Sequence, residues 1–362
     1  MAGAKLERGG PLEWLRFAAA AFIVLYHFGD DAPIHLDAMS RLLGQGWLAT
    51  DFFLMLSGYV LGRAYGRSLD EGRVGAGAFV RRRLVRIWPA HLIVLVGFAA
   101  LVAISHAVGI EPKHPDRYGV ADFWLQAGLV HAWGFGHVAG WNVPSWSLSA
   151  LVVCYALFPL AWRASGRLSA FAALLAAPVL VGGAAVAARG VTGMGLYDLP
   201  FDLGVVRAVP LFLGGLLLSR AAVEVRLTPR AAAGIVGMSL AAILLLESLP
   251  RTPQSDFTSI IAVALVIVAA DAWKTGLSRL AAAGARLSFA LFITHALTGA
   301  VWFGLVRMLE ARVPLPVEVH WLLWAGAFPV ALGVAWVFDR LVDAPLQRAI
   351  ARRRRPREPA AA

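Results

Sequence analysis

Cysteine is almost absent. Cys154 is the only one in 362 residues, and it lies inside an apolar run. A disulfide framework and a thiol relay are therefore unsupported, and a buried, inert thiol is the default for the single residue left. Charge is scarce too: 15% of residues are charged against 59% hydrophobic, with a mean hydropathy of +0.69. That balance places the chain among multispanning membrane proteins. Acidic residues (22) are outnumbered by Lys and Arg (33), which puts the isoelectric point near 10.7. Such a surplus suits nucleic acid in a soluble protein, but here the cations gather in loops between apolar runs, which argues against nucleic acid as a partner. A removable leader is excluded for the first run, because Arg16 interrupts it and no small-residue cleavage site precedes Gly29-Asp30-Asp31. No internal repeat is present.

What is present is a series of apolar segments long enough, or nearly so, to cross the roughly 30 Å hydrocarbon layer. They cover residues 12–29, 46–65, 88–108, 145–162, 168–188, 203–219, 231–248, 256–273, 287–308 and 319–339. The expected architecture is an all-α integral membrane bundle of about ten transmembrane helices. With the N-terminus on the cytoplasmic side, alternate loops place 24 of the 33 Lys and Arg in the cytoplasm and 6 outside, with Arg16, Arg207 and Arg307 inside spans. The positive-inside rule then predicts N-in and C-in. Residues 1–345 form one transmembrane domain, and 346–362 read as a basic, disordered cytoplasmic tail.

The first segment, LEWLRFAAAAFIVLYHF, carries Glu13, Arg16 and His27. Ionisable groups at membrane depth are costly and commonly face a bundle interior or a wet cavity. Arg16 and His27 are eleven residues apart. In a helix that is three turns plus about 20°, so they share a face, about 16 Å apart along the axis. The competing reading is an Arg snorkelling to headgroups and a His at the opposite interface.

Further along, Asp51 is expensive in lipid and is expected to face inward, and Ser57-Gly58 removes bulk for a neighbouring helix or a ligand. The run AFVRRRLVRIWP reads as an amphipathic interfacial helix stopped by Pro89. Its Arg83 and Arg86 share a face, and serve either anionic lipid or the phosphates of a soluble donor. The segment 121–134 forms a short helix lying on the surface or folding inward. The loop around it holds His131, Trp133, His137, Trp141 and Asn142. That composition suits a carbohydrate acceptor, whereas His131 and His137 lack a third ligand for a metal. Arg207 needs a partner, for which Asp202 or a cavity is the natural expectation, and His295 lies alone inside an apolar segment.

Taken together, the motifs resemble the membrane-bound acyltransferase 3 family over Glu13 to about Pro345. Glu13, Arg16 and His27 match the acidic-x-x-Arg start and the ten-residue gap to a His. Asp51, Phe53, Ser57 and Gly58 match the D-x-F-F-x-L-S-G pattern loosely. Arg83, Arg86, Trp88 and Pro89 match its basic motif. Trp146 to Ser149, Tyr155 and Pro159 match the W-S-L-S segment. Arg207 precedes Phe212-Leu213-Gly214, and Ser288 to His295 resembles S-Y-x-x-Y-L-x-H with Phe289 and Phe292 in place of tyrosines. One departure stands out. The family has Glu two residues after the second serine of W-S-L-S, and here that position is Leu151.

The resemblance implies an acyl-CoA donor, acetyl-CoA foremost, used as co-substrate with no resident cofactor or metal. It implies transfer to a hydroxyl of a carbohydrate or related acceptor near the periplasmic face of the inner membrane. His27 is then the general base, with Glu13 as the second candidate catalytic group. Arg16, Arg83 and Arg86 bind the donor, and Asp51, Ser57, Trp146, Ser147, Arg207 and His295 line the substrate path. Besides acyl-CoA, the expected partners are the glycan acceptor and membrane lipids. The competing functions are a glycan or lipid transporter and, given Leu151, an impaired relative that binds donor without turnover.

Overall fold

The computed structural model describes residues 10–136, 140–276 and 278–353, and the statements below concern these. The helices in order are α1 (Pro11–Phe28), α2 (Leu36–Met39), α3 (Gly46–Asp70), α4 (Ala76–Ala107), α5 (Val120–Ala127), α6 (Trp146–Ala164) and α7 (Ala170–Thr192). They continue with α8 (Gly204–Ala221), α9 (Pro229–Ser248), α10 (Pro253–Ala272), α11 (Arg279–Glu310), α12 (Val317–Phe338) and α13 (Ala344–Arg353). No strand occurs among the described residues. Each of the ten segments expected from hydropathy is a helix. Nine described helices are long and apolar enough to cross a membrane. The tenth, α3, is 25 residues long but more polar, with Asp51, Arg63, Arg67 and Asp70 along it. It tolerates them because most of its length is covered by other helices rather than by lipid: Leu54, Met55, Leu56, Tyr59 and Leu61 are all buried.

Glycine explains the tightest crossing, α3 on α8. A Cβ on Gly58 would come within 1.9 Å of the Phe212 carbonyl oxygen, and one on Gly215 within 1.9 Å of the Met55 carbonyl oxygen. The two backbones therefore meet at reciprocal glycines, as small residues allow in membrane helices. Ser57-Gly58 thus serves helix packing, and Ser57 Oγ donates to the Phe53 carbonyl of its own helix at 2.7 Å. α1 and α11 run parallel, with Gly284 receiving Phe17 and Gly299 receiving Phe28. One end of this pair carries Arg16 and the other His27.

Two expectations are corrected. Pro89 does not stop a helix, because α4 runs unbroken through it from Ala76 to Ala107. A proline in a span is tolerated where the surrounding bundle holds the helix. Pro89 removes the N–H that would reach the Val85 carbonyl, and at the next carbonyl, that of Arg86, Gln347 Nε2 donates at 3.3 Å. The basic tail is not structureless from 346: it is helical through Arg353 as α13. Residues 354–362, Lys5, Arg8 and His137 lie outside the described residues.

The segment after α4 folds inward rather than lying on the surface. Trp88 Nε1 donates to the Ala127 carbonyl at 2.7 Å, and His91 Nε2 lies 2.8 Å from the Gln126 carbonyl. Trp88 is 19 residues, or about 28 Å, from the Ala107 end of α4. The tip of α5 is therefore re-entrant. Beyond it, Asn142 Nδ2 donates to the Ile293 carbonyl in the middle of α11 at 3.4 Å.

Candidate functional site

At one end of α1, His27 meets His295 of α11. His295 Nε2 is 3.1 Å from His27 Nδ1, with ring centroids 5.0 Å apart. His295 Nδ1 lies 2.8 Å from the Phe292 carbonyl oxygen and 3.1 Å from that of Leu291. Carbonyl oxygens only accept, so a neutral His295 carries its hydrogen on Nδ1 and presents a lone pair at Nε2. His27 Nδ1 is also 3.0 Å from the Ile23 carbonyl oxygen. Its hydrogen therefore sits on Nδ1, shared between Ile23 and His295, and its own Nε2 is left as the basic nitrogen. His295 is fully buried, whereas His27 keeps some accessible surface. The helix positions explain the pairing. Gly299, one turn above His295, makes room for Phe28, which seats the end of α1 against α11.

The opposite end of α1 is basic. Arg16 lies within electrostatic reach of Glu13 and Arg86, so the structure brings these predicted residues together. Their partners were not foreseen. Arg86 Nη1 donates to Asp343 Oδ1 at 2.8 Å, and its guanidinium stacks 4.5 Å from the Phe289 ring centroid. Arg83 Nη2 donates to Tyr65 Oη at 2.7 Å and lies 4.9 Å from that ring's centroid. Asp343 belongs to the short π-helical turn 339–343 that joins α12 to α13. The signal available in the sequence was the pair of acids, Asp339 and Asp343, directly after the last apolar run.

Near the His27 end, a second polar pair crosses the bundle. Arg207 Nε donates to Asp51 Oδ1 at 2.8 Å, Nη1 to the Tyr197 carbonyl at 3.0 Å, and Nη2 to the Trp47 carbonyl at 3.3 Å. The partner of Arg207 is thus Asp51 of α3 and not Asp202. Asp51 is fully buried and Arg207 is 6% exposed. The Arg207 guanidinium also faces the rings of Trp47 and Trp146, at 5.7 and 5.5 Å. By fixing the Trp47 and Tyr197 backbones, this arginine holds the wall of a cavity of about 620 Å³. Tyr26 and Gly29, on either side of His27 in sequence, line it together with Asp30, Asp37, Arg41, Trp47 and Phe201. Burial, then the nearby carboxylates of Asp51 and Asp256, hold the Tyr197 phenol above its ordinary range.

Other predicted residues are buried behind the cavity wall or away from it. Trp146 and Ser147 are buried, and Ser147 Oγ donates to the Pro144 carbonyl at 3.2 Å. His131 is likewise buried, with Nε2 3.2 Å from Ser145 Oγ. No group of metal-ligating side chains occurs among the described residues. Leu151, at the departure from the family pattern, is part of the apolar core. Trp47, Tyr65, Tyr197 and Asp343 were missed. Trp47 and Asp343 are held by arginines 160 and 257 residues away, which no local spacing reveals. Tyr65 and Tyr197 meet Arg83 and Arg207 only 18 and 10 residues off, but across a break between helices.

Comparison with known proteins agrees with this assembly of motifs. The family model described as an acyltransferase domain matches residues 11–340. Among curated proteins, the chain is 32% identical over 133 residues to protein 2 in the picA locus of Rhizobium radiobacter, covering 34% of this chain and 64% of that protein. It is 31% identical over 156 residues to acyltransferase MdmB of Streptomyces mycarofaciens, covering 42% of this chain and 38% of that protein. The chain therefore spans less than two thirds of the length of these curated relatives. No solved structure matches. With the family model covering nearly the whole helical bundle, and with Arg16, His27 and His295 assembled across α1 and α11, the chain belongs to the acyltransferase 3 family of multi-pass membrane acyltransferases.

Proposed function

We propose that this protein transfers an acyl group, acetyl foremost, from acyl-CoA on the cytoplasmic side to a hydroxyl of a carbohydrate or related acceptor on the outer side of the inner membrane. The observation that carries the reading is the division of α1 into two chemical ends. Arg16, with Arg83 and Arg86 nearby, supplies cations at one end. His27, with a basic Nε2, stands at the other, about 16 Å away along the axis. A pantetheine arm has about that reach, so a nucleotide held at the basic end delivers its thioester to His27. The excess of Lys and Arg in alternate loops supports a cytoplasmic basic end.

In this reading His27 Nε2 takes the proton of the acceptor hydroxyl as the oxygen attacks the thioester carbonyl. The carbon–sulfur bond breaks, and the departing CoA sulfur takes that proton, which regenerates His27. The cavity beside α1 gives the acceptor its entry. The rings of Tyr26, Trp47 and Phe201 offer flat apolar faces, and Asp30 and Asp37 offer acceptors for sugar hydroxyls. This replaces Trp146 and Ser147, both buried, as the acceptor contact. The nearness of Glu13 to Arg16 supports a part for it in the donor path rather than in proton transfer.

The test is acyl-CoA binding to the purified protein in detergent, followed by product mass with candidate glycans. Wild type binds acetyl-CoA. Arg83→Ala/Arg86→Ala made together with Asp343→Asn, so that no buried carboxylate is left unpaired, loses it. His27→Ala keeps donor binding and loses the acyl-sized mass increase. If wild type binds no acyl-CoA of any chain length, the proposal fails and a transporter takes its place.

A further inference from the structure

We infer that His295 is the positioning residue of the site: its lone pair at Nε2 fixes the tautomer of His27 and receives the Nδ1–H of the imidazolium that forms during transfer. This rests on the reading of His27 as the base. The argument is one of donors and acceptors. Both carbonyls at His295 Nδ1, those of Leu291 and Phe292, lie within 3.1 Å and hold the hydrogen there. The one remaining nitrogen, Nε2, is 3.1 Å from His27 Nδ1. His295 is fully buried and both of its nitrogens are committed, so it has no edge for a substrate. His27 has one, its Nε2.

The arrangement is that of a catalytic triad in which the third member is neutral. In serine hydrolases a buried carboxylate accepts the Nδ1–H of the catalytic histidine, sets its tautomer and stabilises its cation. Here an imidazole lone pair does so without placing a charge in the bundle, where an unpaired carboxylate is costly. During transfer the proton from the acceptor hydroxyl moves onto His27 Nε2 and then to the departing sulfur. The Nδ1–H never leaves His27, and His295 keeps its own proton throughout. Without the His295 lone pair, Ile23 is the one acceptor left for His27 Nδ1–H, so the ring loses the contact that holds it against α11 and the imidazolium loses one of its two acceptors.

Two variants separate positioning from packing. His295→Asn keeps an amide N–H near the Phe292 carbonyl but is too short to reach His27. His295→Gln extends an amide oxygen toward the place Nε2 occupied. The expected result is a fall in kcat of about 100-fold or more for His295→Asn, with KM for acetyl-CoA within about threefold of wild type. His295→Gln recovers at least tenfold of the loss. Equal kcat in His295→Asn and wild type, or equal loss in both variants while both bind acetyl-CoA as wild type does, overturns the inference. A second measurement needs neither a variant of His295 nor turnover: nitrogen-15 spectra of histidine-labelled protein in nanodiscs, with His27 assigned through His27→Asn. His27 protonated on Nδ1 and bare on Nε2 supports the inference, and the reverse tautomer overturns it. Absence of acyl-CoA turnover in wild type defeats the proposed function, whereas the tautomer is read regardless.

Discussion

Two of the polar pairs that join helices of this bundle differ in kind. Arg207 and Asp51 join α8 to α3 as full charges, with the guanidinium bonded to the carboxylate and to two backbone carbonyls. His27 and His295 join α1 to α11 as neutral rings through one hydrogen bond, each backed by carbonyls of its own helix. In the charged pair all three guanidinium nitrogens of Arg207 are bonded, and the unpartnered Asp51 Oδ2 is sealed inside the bundle. The neutral pair has one free basic nitrogen and one partly accessible ring. The contrast shows that polarity in a membrane span is not by itself a sign of chemistry. What sets the His27–His295 pair apart is an unspent acceptor, His27 Nε2, at its accessible end.

The largest effect comes from breaking the charged pair. Arg207→Met strands the fully buried Asp51 carboxylate, and loss of one partner of a buried ion pair costs about 3–5 kcal/mol. A fall in apparent melting temperature of the detergent-solubilised protein, or failure to accumulate, is expected. Asp51→Leu combined with Arg207→Met removes both charges and recovers most of the loss, because two apolar groups of similar volume cost little where an orphaned charge costs much. A double variant no more stable than Arg207→Met contradicts a structural role for the pair. The neutral pair behaves oppositely. His27→Ala lowers acyl transfer by about 10²- to 10⁴-fold, with loss of one buried hydrogen bond worth about 1 kcal/mol. Thermal stability and product mass on the same preparations read both. A collapse in stability with His27→Ala puts it in the same class as Arg207.

A smaller effect is expected at the basic end, where Arg86 is tied to Asp343. If Arg86 grips donor phosphate, Asp343 competes for it. Asp343→Asn weakens that competition by about 1 kcal/mol, so acetyl-CoA affinity rises about fivefold. Equilibrium binding at two ionic strengths checks this, and weaker binding in the variant assigns Asp343 to donor contact instead.

How much of this was legible in the sequence follows the same division. The helices were, because apolar length is a local property, and so was the shared face of Arg16 and His27, because helical spacing is local. His295 was visible only as a lone polar residue in an apolar run, since its partner lies 268 residues away. Asp202 was the nearer acid to Arg207 in sequence, but α3 brings Asp51 against α8 through glycines whose reciprocal contact no single segment displays. Pro89 was read by the rule for soluble helices, where the missing N–H ends the turn. Inside a bundle, packing against neighbouring helices holds the backbone on both sides of the proline and the helix continues. The inward fold of α5 was one of two open readings, settled by Trp88 and His91 on a helix that precedes it.

The smallest effect belongs to Ser57, which sits in the most motif-like stretch of α3. Its hydroxyl donates to the Phe53 carbonyl one turn back in the same helix, at 2.7 Å. A carbonyl within a helix already accepts from its own backbone, so this second bond adds little. Ser57→Ala is expected to change stability by less than about 1 kcal/mol and to leave acetyl-CoA affinity and turnover within twofold. The neighbouring Gly58→Ala drives a methyl into the Phe212 carbonyl and cannot be accommodated without separating α3 from α8. Melting temperatures of the two variants, measured side by side, separate the residue that packs the helices from the one that merely adjoins it. A large loss of turnover in Ser57→Ala at unchanged stability gives that hydroxyl a substrate contact and moves it to the class of His27.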